Sequence, residues 1–237
     1  MTDLSGRLIL VTGASRGLGR AVAVEAARAG AHLILVARTQ GALEELDDQI
    51  QGEGHQAPTL APLDVTDPQA VNGLGAGLFN RFGRLDGWVH TAAELGVFTP
   101  VAHMDAKVLE RVWKLSVAAT QRLIASLDVP LQQSPAGRVV VATCSVGRPG
   151  QAFMGAYTAP RAAMEALVLA YAAETTKSNL KVNLVDPGPM ETLLRRKGFP
   201  GEPKGKNPLP ETLAPRLLPF LSADAAETGH IHSLVPH

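Results

Sequence analysis

The sequence predicts an α/β fold: a doubly wound parallel sheet with helices on both faces. Three observations carry that prediction. Short apolar runs alternate with longer helical patterns along the 237 residues. The runs are continuously apolar rather than alternating, as strands covered on both faces must be. A glycine-rich turn joins the first run to the first helical pattern. Right-handed crossovers then leave a ligand crevice at the carboxyl ends of the strands. The length suits a single domain over 1–237, with 190–222 as a substrate loop and short helices within it.

In chain order, 7–12 is the first strand and stops at Gly13, and 18–29 reads as a helix with its charges on one side. A second strand follows at 31–37, then a polar helix around 43–51. Further strands fall at 56–63, 87–91, 138–143 and 181–185, separated by helices near 68–82, 105–127 and 157–176. Within the last helix, 162–173 carries one charge, Glu165. A helix apolar nearly all round is covered on more than one side. One side faces the sheet; the other faces a second subunit, as in a homodimer or homotetramer, or the chain's own tail. Nine of the 17 prolines lie beyond residue 186, so 198–210 cannot hold regular structure and reads as a loop at the crevice. A short helix near 211–222 and an edge strand at 230–235 complete the chain.

Composition excludes several classes. Lys plus Arg and Asp plus Glu both number 22, so the net charge is zero, which argues against nucleic acid as a partner. The one cysteine, Cys144, rules out an internal disulfide and a cysteine-built zinc site, and it reads as a small core residue at a strand end. His230 and His232 share a strand side without an evident third ligand, so no metal is expected. The first seven residues contain no apolar signal core, and no uncharged run approaches the ~18 residues of a membrane span, which places the protein in the cytoplasm. Arg195, Arg196, Lys197, Lys204 and Lys206 form a basic segment near the crevice. It is either a solvated loop or a contact for cofactor phosphates or an anionic substrate.

The turn after the first strand is Thr12-Gly-Ala-Ser-Arg-Gly-Leu-Gly19. Gly13, Gly17 and Gly19, with Ser15, Arg16 and Leu18 between them, let the backbone approach a pyrophosphate at a helix N-terminus. Between a strand and a helix this pattern points to dinucleotide binding. An acidic residue ending the second strand would select NAD(H) through the ribose 2′-hydroxyl. That strand ends Val36-Ala37-Arg38 instead, and Arg38 with Arg16 suits a 2′-phosphate, favouring NADP(H) over NAD(H).

The glycine spacing, Asp64-Val65 after the third strand, Ser145 and Tyr157 after the fifth, and Asp186-Pro-Gly-Pro-Met-Glu-Thr192 after the sixth together resemble the short-chain dehydrogenase/reductase family over about 4–190. The resemblance implies a Rossmann-like fold and an NAD(P)-dependent oxidoreductase acting on a small-molecule carbonyl or alcohol. It implies that Asp64 contacts adenine, that Thr91 and Ala92 lie beside the cofactor, and that Pro187, Gly188 and Thr192 surround the nicotinamide amide. It also implies that Tyr157 gives or takes the proton while Ser145 holds the substrate oxygen. The pattern departs at three places. Arg161 stands at the family's lysine, Ser116 at its asparagine, and His90-Thr-Ala-Ala93 at its Asn-Asn-Ala-Gly. Arg161 keeps a positive charge one helical turn from Tyr157 and is expected to lower the tyrosine pKa, but it cannot lose a proton. His90 and Thr91 are either a ribose contact or a buried structural pair. Two functional classes follow: an oxidoreductase with an arginine-modified tyrosine site, which the survival of serine and tyrosine favours, or a non-catalytic dinucleotide-binding protein.

Overall fold

The computed structural model describes residues 2–145 and 150–234. Its strands are β1 (Leu8–Thr12), β2 (His32–Ala37), β3 (Thr59–Pro62), β4 (Gly87–His90), β5 (Arg138–Ala142), β6 (Lys181–Asp186) and β7 (Ile231–Ser233). They form one parallel sheet in the order β3-β2-β1-β4-β5-β6-β7. All five residues of β1, β4's four and β5's five are buried, which is why these runs read as continuously apolar. Helices α1 (Gly17–Arg28) and α2 (Gln40–Gly52) cover one face. The other is covered by α3 (Pro68–Phe82), α5 (Ala119–Gln132) and α6 (Gly155–Glu174). The strand order reverses between β1 and β4, so the crevice opens at the carboxyl ends of those two strands.

The opposite end of the sheet is locked by one carboxylate. Asp86, 3% exposed, accepts from Leu8 N at 2.9 Å, Ser134 Oγ at 2.6 Å and Arg84 Nε at 3.0 Å. Arg7 donates to the Asp86 carbonyl at 2.7 Å. The Arg7 Nε is buried without a partner, while both Asp86 carboxylate oxygens are satisfied, and the first two strands of the crevice are fixed at their far ends.

Three elements differ from the sequence expectation. The helix expected over 105–127 is broken into α4 (Ala106–Trp113), a π-turn (Lys114–Ala118) and α5. The Asp105 carboxylate caps α4 by accepting from Lys107 N at 2.9 Å. The single helix expected over 211–222 divides into α8 (Pro210–Leu213) and two 3-10 turns, Ala214–Arg216 and Leu218–Leu221, because Pro215 and Pro219 lack the N–H a continuous helix needs. A further helix, α7 (Leu193–Gly198), precedes the 199–209 loop, its first turn capped by Thr192 Oγ1 accepting from Arg195 N at 3.1 Å. The last strand ends at Ser233; Val235, expected to close it, lies outside the described residues.

The tail packs on the α1 face through Leu213, Leu217, Leu218 and Leu221. It leaves the outer stripe of α6 uncovered. Met164, Val168 and Tyr171 face the sheet, while Ala162, Ala166, Ala170 and Ala173 are exposed. Among the described residues, no helix is long and apolar enough to cross a membrane.

Candidate active site

A cleft of about 480 Å³ runs along the carboxyl ends of the strands. Its floor is the glycine turn, and each glycine there has its own reason. A Cβ on Gly13 would lie 2.8 Å from both Ala92 N and Thr91 Oγ1, and one on Gly19 would lie 2.3 Å from the Gly13 carbonyl oxygen. These two positions let β1, β4 and α1 converge. Gly17 shares the positive φ of Gly13 (+55° and +82°) but not its crowding, since a Cβ there would meet only Thr192 Cγ2, at 3.5 Å. It is glycine for its backbone conformation and faces open cleft.

Helix α1 starts without help from its own side chains. Arg16, at its N-cap, makes no capping hydrogen bond, and the first turn holds no acidic residue. The free N–H groups and the positive end of the helix dipole therefore face the cleft, fitting a pyrophosphate. Ser15 and Leu18 line the same turn. Beyond it, Arg38 is exposed at the end of β2, its guanidinium 4.0 Å from Asp64 Oδ2. Asp64 Oδ1 accepts from Thr66 N at 2.8 Å, which fixes the turn that brings Asp64 and Val65 to the cleft wall. Thr91 bonds into the glycine turn, its Oγ1 donating to the Thr12 carbonyl at 2.9 Å, with Ala92 beside it. Pro187, Gly188 and Thr192 form the opposite wall.

Asp186, 1% exposed, joins the two arms of this wall. Its Oδ2 accepts from Ser145 N at 2.7 Å and its Oδ1 from Gly188 N at 2.9 Å. The residues after β5 and those after β6 thus hang on one side chain.

Tyr157 lies on α6, two residues after its start, and is 8% exposed. The first turn is satisfied by the Met154 carbonyl, which accepts from Tyr157 N and Thr158 N, both at 2.9 Å. Pro160 is accommodated within α6, where it is buried. Arg161, 7% exposed, donates from one terminal nitrogen to the Ala142 carbonyl at 3.0 Å, and its guanidinium carbon is 5.5 Å from the Tyr157 ring centre. Cys144 and Arg161 are the neighbouring side chains that act on the Tyr157 hydroxyl. Here the expectation of a lowered pKa is overturned. Burial pushes Tyr157 up to about 12, because loss of hydration outweighs the pull of Arg161, and Cys144 adds to the rise.

The structure brings Tyr157, Arg161 and Cys144 together on the cleft wall. Ser145 and Ser116 stand apart. Ser145 is exposed and, among the described residues, is not part of that wall. Ser116 is 2% exposed inside the π-turn, and its carbonyl accepts from Thr120 Oγ1 at 2.7 Å. π-turns occur often at functional sites; this one buries the serine.

His90 is the buried structural partner of the two readings it allowed, and Thr91 serves the glycine turn. His90 Nδ1 is 2.7 Å from Thr12 Oγ1, and Nε2 is 3.2 Å from Thr120 Oγ1. Each of these hydroxyls also has a backbone acceptor, Thr12 Oγ1 at the Val89 carbonyl (3.2 Å) and Thr120 Oγ1 at the Ser116 carbonyl, so the imidazole bridges two anchored side chains. Trp88 Nε1 completes the chain by donating to Thr12 Oγ1 at 3.2 Å. Burial, reinforced by the charge of Arg161, holds the His90 pKa down at about 3.

Three of the five basic residues, Arg195, Arg196 and Lys206, are paired with Glu202 or Glu191. Arg195 grips Glu202 with two bonds of 2.8 and 3.0 Å and lies 3.8 Å over the Phe199 ring. Arg196 bonds Glu191 at 2.9 Å, whose other oxygen accepts from Gly205 N at 2.7 Å. These contacts hold the Glu202 carboxyl down at about 2, the Arg195 bond foremost. His230 and His232 have ring centres 5.8 Å apart, and among the described residues no three His, Cys, Asp or Glu side chains gather as metal ligands.

Sequence reasoning missed Cys144 as a neighbour of Tyr157, the Thr12–His90–Thr120 chain, and the Glu191 and Glu202 anchors. The proximity of Cys144 to Ser145 was the available signal for the first.

The comparisons with known proteins agree with this architecture. The short chain dehydrogenase family profile matches residues 7–202. The oxidoreductase YciK of Escherichia coli K12 is 35% identical over 224 residues, covering 94% of this chain and 88% of that protein. A short chain dehydrogenase of Shigella flexneri 2a, solved in complex with NADP, has a TM-score of 0.95 at 33% identity and covers both chains completely (100% of each). A second, from Escherichia coli CFT073 and complexed with NADPH, has a TM-score of 0.94 at 34% identity, covering 98% of each chain. The parallel seven-stranded sheet, the glycine turn at its switch point and these matches define the class: the chain belongs to the short-chain dehydrogenase family of oxidoreductases.

The His90 pKa has a measurable consequence. The unfolded chain takes up a proton at this group near pH 6.5 and the folded one only near 3, so stability falls as the pH is lowered through that window. The slope is about 1.4 kcal/mol per pH unit for one group. His90→Asn removes the titration. Urea unfolding from pH 6.5 down to 4 is expected to show a shallower loss in the variant, and parallel slopes would exclude the buried neutral histidine.

Proposed function

We propose that the protein is an NADP(H)-dependent reductase of small, apolar carbonyl compounds, with the reverse alcohol oxidation as its minor direction. The observation that carries this reading is the placement of Tyr157 and the glycine turn on one cleft. Arg16, Arg38 and the N-terminus of α1 would hold the phosphates, and Thr91, Pro187, Gly188 and Thr192 would enclose the nicotinamide end. NADPH bound there supplies the hydride for the carbonyl carbon.

Tyr157 donates its hydroxyl proton to the carbonyl oxygen, leaving the alcohol. A raised pKa keeps Tyr157 protonated across the physiological range, which suits proton donation and disfavours the tyrosinate that oxidation needs. Beyond Tyr157 the cleft is lined by Leu95, Leu115, Met154, Met190, Leu194 and Phe199. Arg195 and Arg196 spend their charges on Glu202 and Glu191. An uncharged, apolar substrate fits this wall better than an anionic one.

A second reading, a dinucleotide-binding protein without turnover, is favoured by one feature. The Ser116 carbonyl, where a proton relay to solvent would pass, is already occupied by Thr120. NADPH fluorescence titration followed by a panel of ketones and aldehydes separates the two: tight binding without NADPH consumption selects the second.

Two outcomes test the first reading, and a third tests the assembly. If Arg38 contributes a charge-assisted bond of roughly 1.5–3 kcal/mol, NADPH binds at least about tenfold more tightly than NADH. Arg38→Asp then inverts the order, and equal affinities in the parent protein would remove the basis for NADP(H). Tyr157→Phe is expected to lower kcat by about a hundredfold or more while the NADPH Kd is retained; a variant as fast as the parent would refute the tyrosine as acid. The exposed alanine stripe of α6 is proposed as the face between two copies of the chain. Sedimentation should show a dimer or tetramer that Ala166→Arg dissociates without loss of helical circular dichroism, and a monomeric parent would sink the assembly.

A further inference from the structure

Of the eight large apolar side chains exposed among the described residues, five gather in one place. Val97, Val101, Phe153, Leu193 and Leu209 form a rim at the mouth of the cleft. We propose that this rim docks the protein on the surface of a bilayer containing anionic lipid, with the cleft mouth turned toward the acyl chains.

The three segments that carry the rim touch one another. Thr99 N donates to the Phe153 carbonyl at 2.9 Å, and a Cβ on Gly155 would lie 3.2 Å from Val101 Cγ2. Phe98 meets Phe199 edge-on, with ring centres 5.5 Å apart. Glu191 N donates to the Pro208 carbonyl at 2.9 Å, closing the loop whose two ends carry Leu193 and Leu209.

A substrate in the cleft does not account for this patch. Leu193 and Leu209 line the cleft, but Val97, Val101 and Phe153 lie outside its wall, and Val101 is 72% exposed. Phe153 carries a second mark. Its φ is +69°, and among the described residues it is the one non-glycine with a positive φ. The chain holds an unfavourable backbone conformation there and presents the ring to solvent, as an anchor that enters a second apolar phase would require. Exposed apolar patches of this kind mark contact surfaces.

Charge selects the kind of surface. The whole chain is neutral, yet over 191–206 five basic residues stand against two acids, Glu191 and Glu202. Both acids are already held by Arg195, Arg196 and Lys206. Lys197 and Lys204 are exposed and, among the described residues, in no ion pair. Apolar side chains edged by lysines fit the boundary between acyl chains and anionic headgroups. The docking does not depend on the reductase reading. One consequence does rest on it: a carbonyl compound dissolved in the membrane would enter the apolar cleft without crossing water.

Co-sedimentation with vesicles tests the docking. The full chain is expected to pellet with mixed phosphatidylcholine–phosphatidylglycerol vesicles and to bind pure phosphatidylcholine about tenfold more weakly. Phe153→Gly suits the backbone at that position, so it keeps the fold and is expected to weaken vesicle binding about tenfold. Lys197→Glu combined with Lys204→Glu is expected to abolish the preference for anionic lipid. Phe79→Ser, on α3 near the far end of the sheet, is expected to change neither. A parent protein that stays in the supernatant with both vesicles overturns the proposal, as does an equal loss in Phe79→Ser and Phe153→Gly. So does a Phe153→Gly variant that keeps vesicle binding and instead dissociates an oligomer, which gives the rim to a second copy of the chain. Vesicle binding without turnover of any ketone supports the docking and counts against the reductase reading alone.

Discussion

The crevice depends on the close approach of Thr91 to the glycine turn. Thr91 N and Oγ1 both reach the Thr12 carbonyl, at 3.0 and 2.9 Å. They bring the end of β4 into space that a side chain at Gly13 or Gly19 would fill. Because those two positions are bare, the carboxyl ends of β1 and β4 draw together under the turn and α1 leaves at the angle that opens its first N–H groups. Asp86 anchors the same two strands at their other ends. Strand spacing is thus set at both ends by polar contacts, and the apolar packing of the sheet fills in between.

Within that frame, Arg161 is a permanent charge in a buried place. A lysine there could shed its proton; arginine cannot, so the fold must hydrate the guanidinium with its own atoms. It does so with the Ala142 carbonyl and the Met164 sulfur, both reached from one terminal nitrogen. Neutral neighbours are the corollary, and His90 and Tyr157 both lie on the uncharged side of their titrations. The effect of Arg161 therefore reaches beyond the cleft wall. The interior behind the cleft is a closed set of hydrogen bonds running from Trp88 through Thr12, His90 and Thr120 to Ser116.

Much of this was legible in the sequence, for physical reasons. Strands buried on both faces must be apolar throughout, and a turn that packs backbone against backbone must be glycine, so the sheet and the cleft floor could be read directly. The π-turn at Lys114–Ala118 was not legible, since one extra residue hardly disturbs the apolar pattern on either side. The assignment of Ser145 rested on the family resemblance of the segment after β5, and that Cys144 rather than Ser145 lines the cleft depends on the path of the chain leaving the strand. The sign of the Tyr157 shift needed the depth of burial, which spacing to Arg161 does not contain. The basic segment looked free because its anchors, Glu191 and Glu202, are ordinary loop acids until the chain turns back on itself.

Asp186 has a mechanical consequence. One rigid carboxylate carries Ser145 N on one oxygen and Gly188 N on the other, so the segments leaving β5 and β6 share a pivot. The first leads toward Tyr157 and the second toward Thr192 and α7. The path from Ser145 N to Gly188 N is two hydrogen bonds and the two carbon–oxygen bonds of one carboxylate. Neither backbone N–H can leave that carboxylate without stranding a buried charged acceptor, so one side chain sets the separation of the two strand ends.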